Sequence, residues 1–238
     1  MCSCSESFPN EGFLRFTVAH ELGHYFLDGH YEYIFPDGKA RHESATGFTS
    51  DDRHEREADT FAAGLLMPEK LFRASCARSK PGLTAIEDLA GACGTSLTAT
   101  AIRYARLSDE LVAVVCSLAD RVQFAFMSES LKSRRDLNWI KKNTGLPHGT
   151  ATARFNRDQT NVAKARRTTS ASTMDTWFDG GGDSELVEEV IGLGAYGRTL
   201  TVLWQEQLPD PHEDEHESGE DERENMLPSD RWRQPRED

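Results

Sequence analysis

Apolar residues recur at helical spacing from Leu14 through Val18 and Leu22 to Phe26. This predicts a helix with those four on its buried face and Asn10 placed to cap its start. A second helix is predicted from Asp52, which with Glu55 three residues on makes a capping box, to Pro68, which stops it. Ala58, Phe61, Ala62, Leu65 and Leu66 mark its inner face. Residues 29–50 lie between the two and carry Tyr31, Tyr33, Phe35, Pro36-Asp37-Gly38 and His42, the make-up of a turn-rich loop or short hairpin. Residues 83–107 read as helix, tight turn at Gly94 and second helix, a helix-turn-helix-like pattern. Residues 111–117 and 121–127 read as a hairpin turning at 118–120. A helix over 131–142 with Leu137, Trp139 and Ile140 inward, a loop at 145–149, an acidic stretch at 185–190 and a strand at 200–205 follow.

The chain has 238 residues, 37% hydrophobic and 28% charged, which fits one or two soluble domains with a core. No apolar run is long enough to predict a membrane span, and the N-terminus has no basic segment followed by an apolar one, so no secretory signal is expected. The five cysteines are odd in number and scattered, which fits unpaired thiols in a reducing, cytoplasmic setting. The net charge of −13 is uneven: residues 121–167 carry +8 and residues 209–238 carry −8. The basic block is read as a solvated face rather than a nucleic-acid surface. The last thirty residues are too polar to offset ordering entropy and are expected to be disordered, so His212 and His216 would hold no defined metal geometry.

Chemistry concentrates in His20-Glu21-Leu22-Gly23-His24, an H-E-x-x-H pattern. On a helix the two histidines sit one turn apart on one face and reach one metal ion, while Glu21 points away yet stays within reach of a water beside the metal. A zinc hydrolase needs those two nitrogens, a third ligand, an open position and a nearby base. For the third ligand, periodicity in the second helix favours Glu55 over Glu57 and leaves His54 open. His30 falls where the metzincin pattern has its last histidine, but Leu27 stands where that pattern needs a turn glycine and Gly29 comes two residues late, so His30 ranks below Glu55. The tyrosines and His42 of the intervening loop are read as packing rather than as donors to an oxyanion.

Two blocks, Arg15-Phe-Thr-Val-Ala-His-Glu-Leu-Gly-His24 and Glu55-Arg-Glu-Ala-Asp59-Thr-Phe-Ala-Ala-Gly-Leu-Leu-Met-Pro68, resemble the ImmA/IrrE family of gluzincin-like metallopeptidases. The resemblance implies an α+β fold with a mainly helical zincin-like core and zinc held by His20, His24 and Glu55. It also implies Glu21 as general base and Asp59 orienting a ligand histidine. The family carries strands and a helix upstream of the first block, so this core is read as N-terminally shortened. Residues 1–107 would be the metallopeptidase domain, with the segment 83–107 packing beneath the metal site rather than contacting DNA. Residues 108–208 would be an accessory α+β unit and 209–238 a disordered acidic tail. The function implied is zinc-dependent cleavage of a regulatory protein, in particular a helix-turn-helix repressor. A regulatory or interaction protein with a structural metal site and a DNA-binding regulator are the alternatives.

Overall fold

The structure is a computed structural model describing residues 11–35, 50 and 52–205. Asn10, Pro36-Asp37-Gly38, His42 and the acidic tail lie outside the described residues. The fold is α+β. Helix α1 (Glu11–Phe26) is followed by α2 (His30–Ile34), α3 (Arg53–Leu66), α4 (Glu69–Cys76), α5 (Leu83–Cys93) and α6 (Leu97–Leu107). The hairpin β1 (Val112–Leu118) and β2 (Arg121–Met127) comes next, then α7 (Glu129–Lys132), α8 (Ala151–Asn156) and α9 (Gln159–Ala163). Strand β3 (Arg167–Thr173), helix α10 (Met174–Phe178) and strands β4 (Glu185–Gly192) and β5 (Thr199–Trp204) complete it. The five strands form one antiparallel sheet in the order β2-β1-β5-β4-β3.

Alternation along the central strands gives the sheet two buried faces. Val112, Val114, Leu200, Val202 and Trp204 join a cluster with Phe16, Ala19, Ala62, Met67, Ile86 and Tyr104, so the helices up to α6 sit on one face. Ala113, Val115 and Leu203 join Leu131, Leu137, Met174, Trp177 and Phe178 on the other. The first cluster crosses position 107, where α6 hands over to β1. Glu189 ties the two layers together, accepting hydrogen bonds from the Leu83 N–H at the start of α5 (2.8 Å) and from Trp204 Nε1 (2.9 Å). Among the described residues no helix is long and apolar enough to cross a membrane.

Helix α6 is a core helix. Ala99, Thr100, Ala101, Ile102, Tyr104, Ala105 and Leu107 are all buried. Arg103 donates to the Met67 carbonyl at the end of α3, and the Arg106 guanidinium lies over the Phe126 ring. The helix-turn-helix shape predicted for 83–107 is present, with Gly94 in the left-handed region (φ 59°) and Ser96 capping α6. A helix held this deeply does not present a row of cations to phosphates.

Several expectations are corrected. The inner face of α1 is Gly12, Phe16, Ala19, His20, Gly23 and His24, while Leu14, Val18, Leu22 and Phe26 are exposed. Likewise Leu65 of α3 is exposed and the buried positions are Glu55, Ala58, Asp59, Ala62 and Ala63. In both helices the small residues face inward because α1 and α3 pack closely, and larger side chains would hold them apart. The loop after α1 contains the short helix α2. The helix expected over 131–142 ends at Lys132, and Trp139 is exposed. Beyond it the backbone finds partners outside itself: the Asn138 N–H donates to the Phe178 carbonyl, the Asn143 N–H to Val122, and the Leu146 N–H to Asp120. The acidic stretch at 185–190 is part of β4, where Glu188 is buried and accepts from the Ala151 and Thr152 N–H groups that open α8. The basic block, by contrast, keeps Arg135, Lys141, Lys142, Arg166 and Arg167 exposed as a solvated face would, with Arg134 paired to Asp136 and Arg167 to Glu87.

Candidate metal centre

Helices α1 and α3 meet at two small residues. A Cβ built on Gly23 would come within 3.0 Å of the Ala58 Cα and 3.2 Å of its carbonyl oxygen. That approach brings the buried polar positions of the two helices to one point. His20 and His24, one turn apart on α1, face Glu55 in the first turn of α3. The register of α3 is set by Asp52, whose Oδ1 accepts from the His54 N–H (2.8 Å) and, more weakly, the Glu55 N–H (3.4 Å). Burial raises the Asp52 carboxyl, but those backbone bonds and the Tyr33 hydroxyl outweigh it and leave it below its ordinary value.

The three candidate donors converge, one ligand atom from each lying within 4.8 Å of the others. His20 Nε2 and His24 Nε2 are 3.1 Å apart, His24 Nε2 is 3.1 Å from Glu55 Oε1, and His20 Nε2 is 3.4 Å from Glu55 Oε2. Ligand atoms about 2.0–2.2 Å from a tetrahedrally coordinated ion such as zinc lie about 3.3 Å apart, close to the separation of the two histidine nitrogens and to that of each from its nearer Glu55 oxygen. All three side chains are buried, His20 at 0%, His24 at 3% and Glu55 at 2% exposure. Two neutral imidazoles and a carboxylate make a donor set suited to a divalent first-row metal ion, and burying them together without such a partner would be costly. The residues present fit a metal.

The supporting atoms are in place. His20 Nδ1 is 2.9 Å from Asp59 Oδ1, and Asp59 is fully buried one turn beyond Glu55. A histidine that gives its Nε2 lone pair to a metal carries its proton on Nδ1, and Asp59 is the acceptor for that proton. Glu21 is on the exposed side of α1, on the same face as Leu14, Val18 and Leu22.

The rival third ligands lie elsewhere. Glu57 is partly exposed; the Arg53 guanidinium, then His30, hold its carboxyl below the ordinary range. His54 is stacked under the Tyr33 ring, centroids 4.1 Å apart, and is not among the three donors. Tyr33 itself is committed to packing: burial, then its hydrogen bond to Asp52, raises its hydroxyl pKa. His30 is fully buried but stands behind His24, with its Nδ1 2.9 Å from the Nδ1 of His24. The turn that places it there uses Gly29, at φ 80°, so the left-handed residue comes two positions later than the metzincin pattern demands. Sequence reasoning ranked His30 and Glu57 only as ligands.

Comparison with known proteins agrees with this geometry. Among curated proteins none matches the chain. Residues 13–104, which span most of α1, all of α2 to α5 and most of α6, match the family model Peptidase_M78, described as the IrrE N-terminal-like domain. The histidine pair, the glutamate of the second helix and the supporting aspartate all lie inside the matched segment, so that residues 13–104 are similar to the metallopeptidase domain of the ImmA/IrrE family.

Proposed function

We propose that the protein is a zinc-dependent endopeptidase. His20, His24 and Glu55 would hold the ion, and the observation that supports this most is the buried convergence of their ligand atoms, the two Nε2 atoms 3.1 Å apart and each 3.1 to 3.4 Å from a Glu55 oxygen. When bound, the ion supplies Lewis-acid polarisation of a peptide carbonyl and makes water a competent nucleophile near neutral pH. Glu21, exposed on the helix that carries both histidines, takes a proton from the attacking water and returns it to the leaving amine. Asp59 holds the His20 ring with Nε2 toward the site. The substrate is a regulatory protein, in particular a DNA-binding repressor of the helix-turn-helix class, and the setting is the cytoplasm, where Cys76, Cys93 and Cys116 stay as free thiols.

Zinc content and cleavage of a co-encoded repressor, for the wild-type chain and Glu21→Gln, test this reading. The variant keeps its zinc and loses about 10²–10⁴-fold in cleavage rate. Equal cleavage by the two proteins removes Glu21 from the chemistry. One observation favours a second reading, a metal site kept for structure in a regulatory protein: all three donors are buried. That reading predicts full zinc occupancy with no turnover of any repressor offered.

A further inference from the structure

His30 has one partner on each ring nitrogen. Its Nδ1 lies 2.9 Å from His24 Nδ1, and its Nε2 lies 3.2 Å from Glu57 Oε2, while the other Glu57 oxygen accepts from Arg53 Nε at 2.7 Å. The ring is 0% exposed, so water does not stand in for either partner. Two imidazole nitrogens can face each other at this distance only if one donates and the other accepts. A His24 that gives its Nε2 lone pair to a metal must carry its proton on Nδ1, and then His30 Nδ1 is the acceptor. His30 in turn carries its own proton on Nε2, where Glu57 accepts it. The opposite arrangement would put a proton on His24 Nε2, at the position a metal needs.

From this geometry we propose that His30 and Glu57 are a positioning pair that fixes the tautomer and ring orientation of His24 for metal binding; this rests on the metal-centre reading above. His20 reaches a carboxylate directly through Asp59, and His24 reaches one through an intervening imidazole. His30 touches neither substrate nor metal. It acts through His24, in the way an outer hydrogen-bond partner orients a ligand histidine and raises its basicity.

The test is zinc affinity by chelator competition, with the visible absorption of the Co²⁺-loaded chain, for wild type, His30→Phe, His30→Asn and Glu57→Ala. His30→Phe keeps most of the buried volume and removes the acceptor; it binds zinc 10–100-fold more weakly and shifts the Co²⁺ spectrum. His30→Asn places an amide oxygen near the former Nδ1 and recovers most of the affinity. Glu57→Ala, at a partly exposed position, weakens binding in the same direction by a smaller factor. The inference is overturned if His30→Phe and Glu57→Ala both bind zinc like wild type with unchanged spectra, or if His30→Asn recovers nothing. If His30→Phe fails to fold, wild-type affinity in Glu57→Ala is by itself sufficient to overturn it. A wild-type chain that takes up no zinc overturns the metal-centre reading as well, whereas normal wild-type uptake with unaffected variants sinks this inference alone.

Discussion

Two histidines one turn apart on α1 reach carboxylates by different routes, His20 directly at Asp59 and His24 through the His30 ring to Glu57. That His20, His24 and Glu55 converge was legible in the sequence because each is placed by local geometry. A spacing of four puts His20 and His24 on one helical face, and the Asp52 cap sets the register that turns Glu55 inward. The places of His30 and Glu57 were not legible, because they depend on a turn at Gly29 and on the docking of α2, neither of which periodicity reports. At this scale the sharpest prediction concerns Asp59. Replacing it with alanine leaves the His20 N–H buried without its acceptor and lowers metal affinity 10–100-fold, while Asp59→Asn keeps an acceptor oxygen and loses less. Unchanged zinc affinity in Asp59→Ala would mean the His20 ring is oriented by packing alone.

Helical periodicity finds α1 and α3; it assigns the wrong side of α1 as buried, while in α3 it places Ala58 and Ala62 inward correctly and errs at Leu65. Leu14, Val18 and Leu22 outweigh Ala19 and Gly23 on any hydrophobicity scale, yet the small residues lie inside because the two backbones approach closely there. Polar donors fill the rest of that interface, so the functional site and the helix contact are one surface. The helix expected over 131–142 fails for a related reason, since the partners of its backbone are β2 and α10, far away in sequence. Gly23 is the position where element packing and metal binding meet. Gly23→Val forces α1 away from Ala58, separates the donors, lowers the melting temperature and weakens zinc binding at least tenfold. Gly64→Ala, on the open side of α3 with nothing within 4 Å of the new Cβ, serves as the control and leaves zinc affinity unchanged. A Gly23→Val chain that binds zinc normally would show that the close approach of α1 and α3 is not what sets the donor spacing.

Over the whole described chain, the helices that hold the donors rest on a sheet whose other face is covered by α7 to α10, with one hydrophobic cluster running from α1 to β5. The hairpin of β1 and β2 and the last strand were readable from alternation, whereas β3, a Thr- and Ser-rich edge, and the half-acidic β4 lack that signal and become strands by pairing. A metal joining α1 to α3 stabilises the folded chain by about 4 kcal/mol when present at a thousand times its dissociation constant. For a chain of this size, chelation then lowers the melting temperature by roughly 8–16 °C. The claim beneath all of this is that one ion is gripped jointly by His20, His24 and Glu55. Zinc stoichiometry after exhaustive dialysis, for the wild-type chain beside Glu55→Ala, tests it most directly. The arrangement predicts one zinc per wild-type chain and almost none in the variant; equal retention by both, or no retention by the wild type, would contradict it.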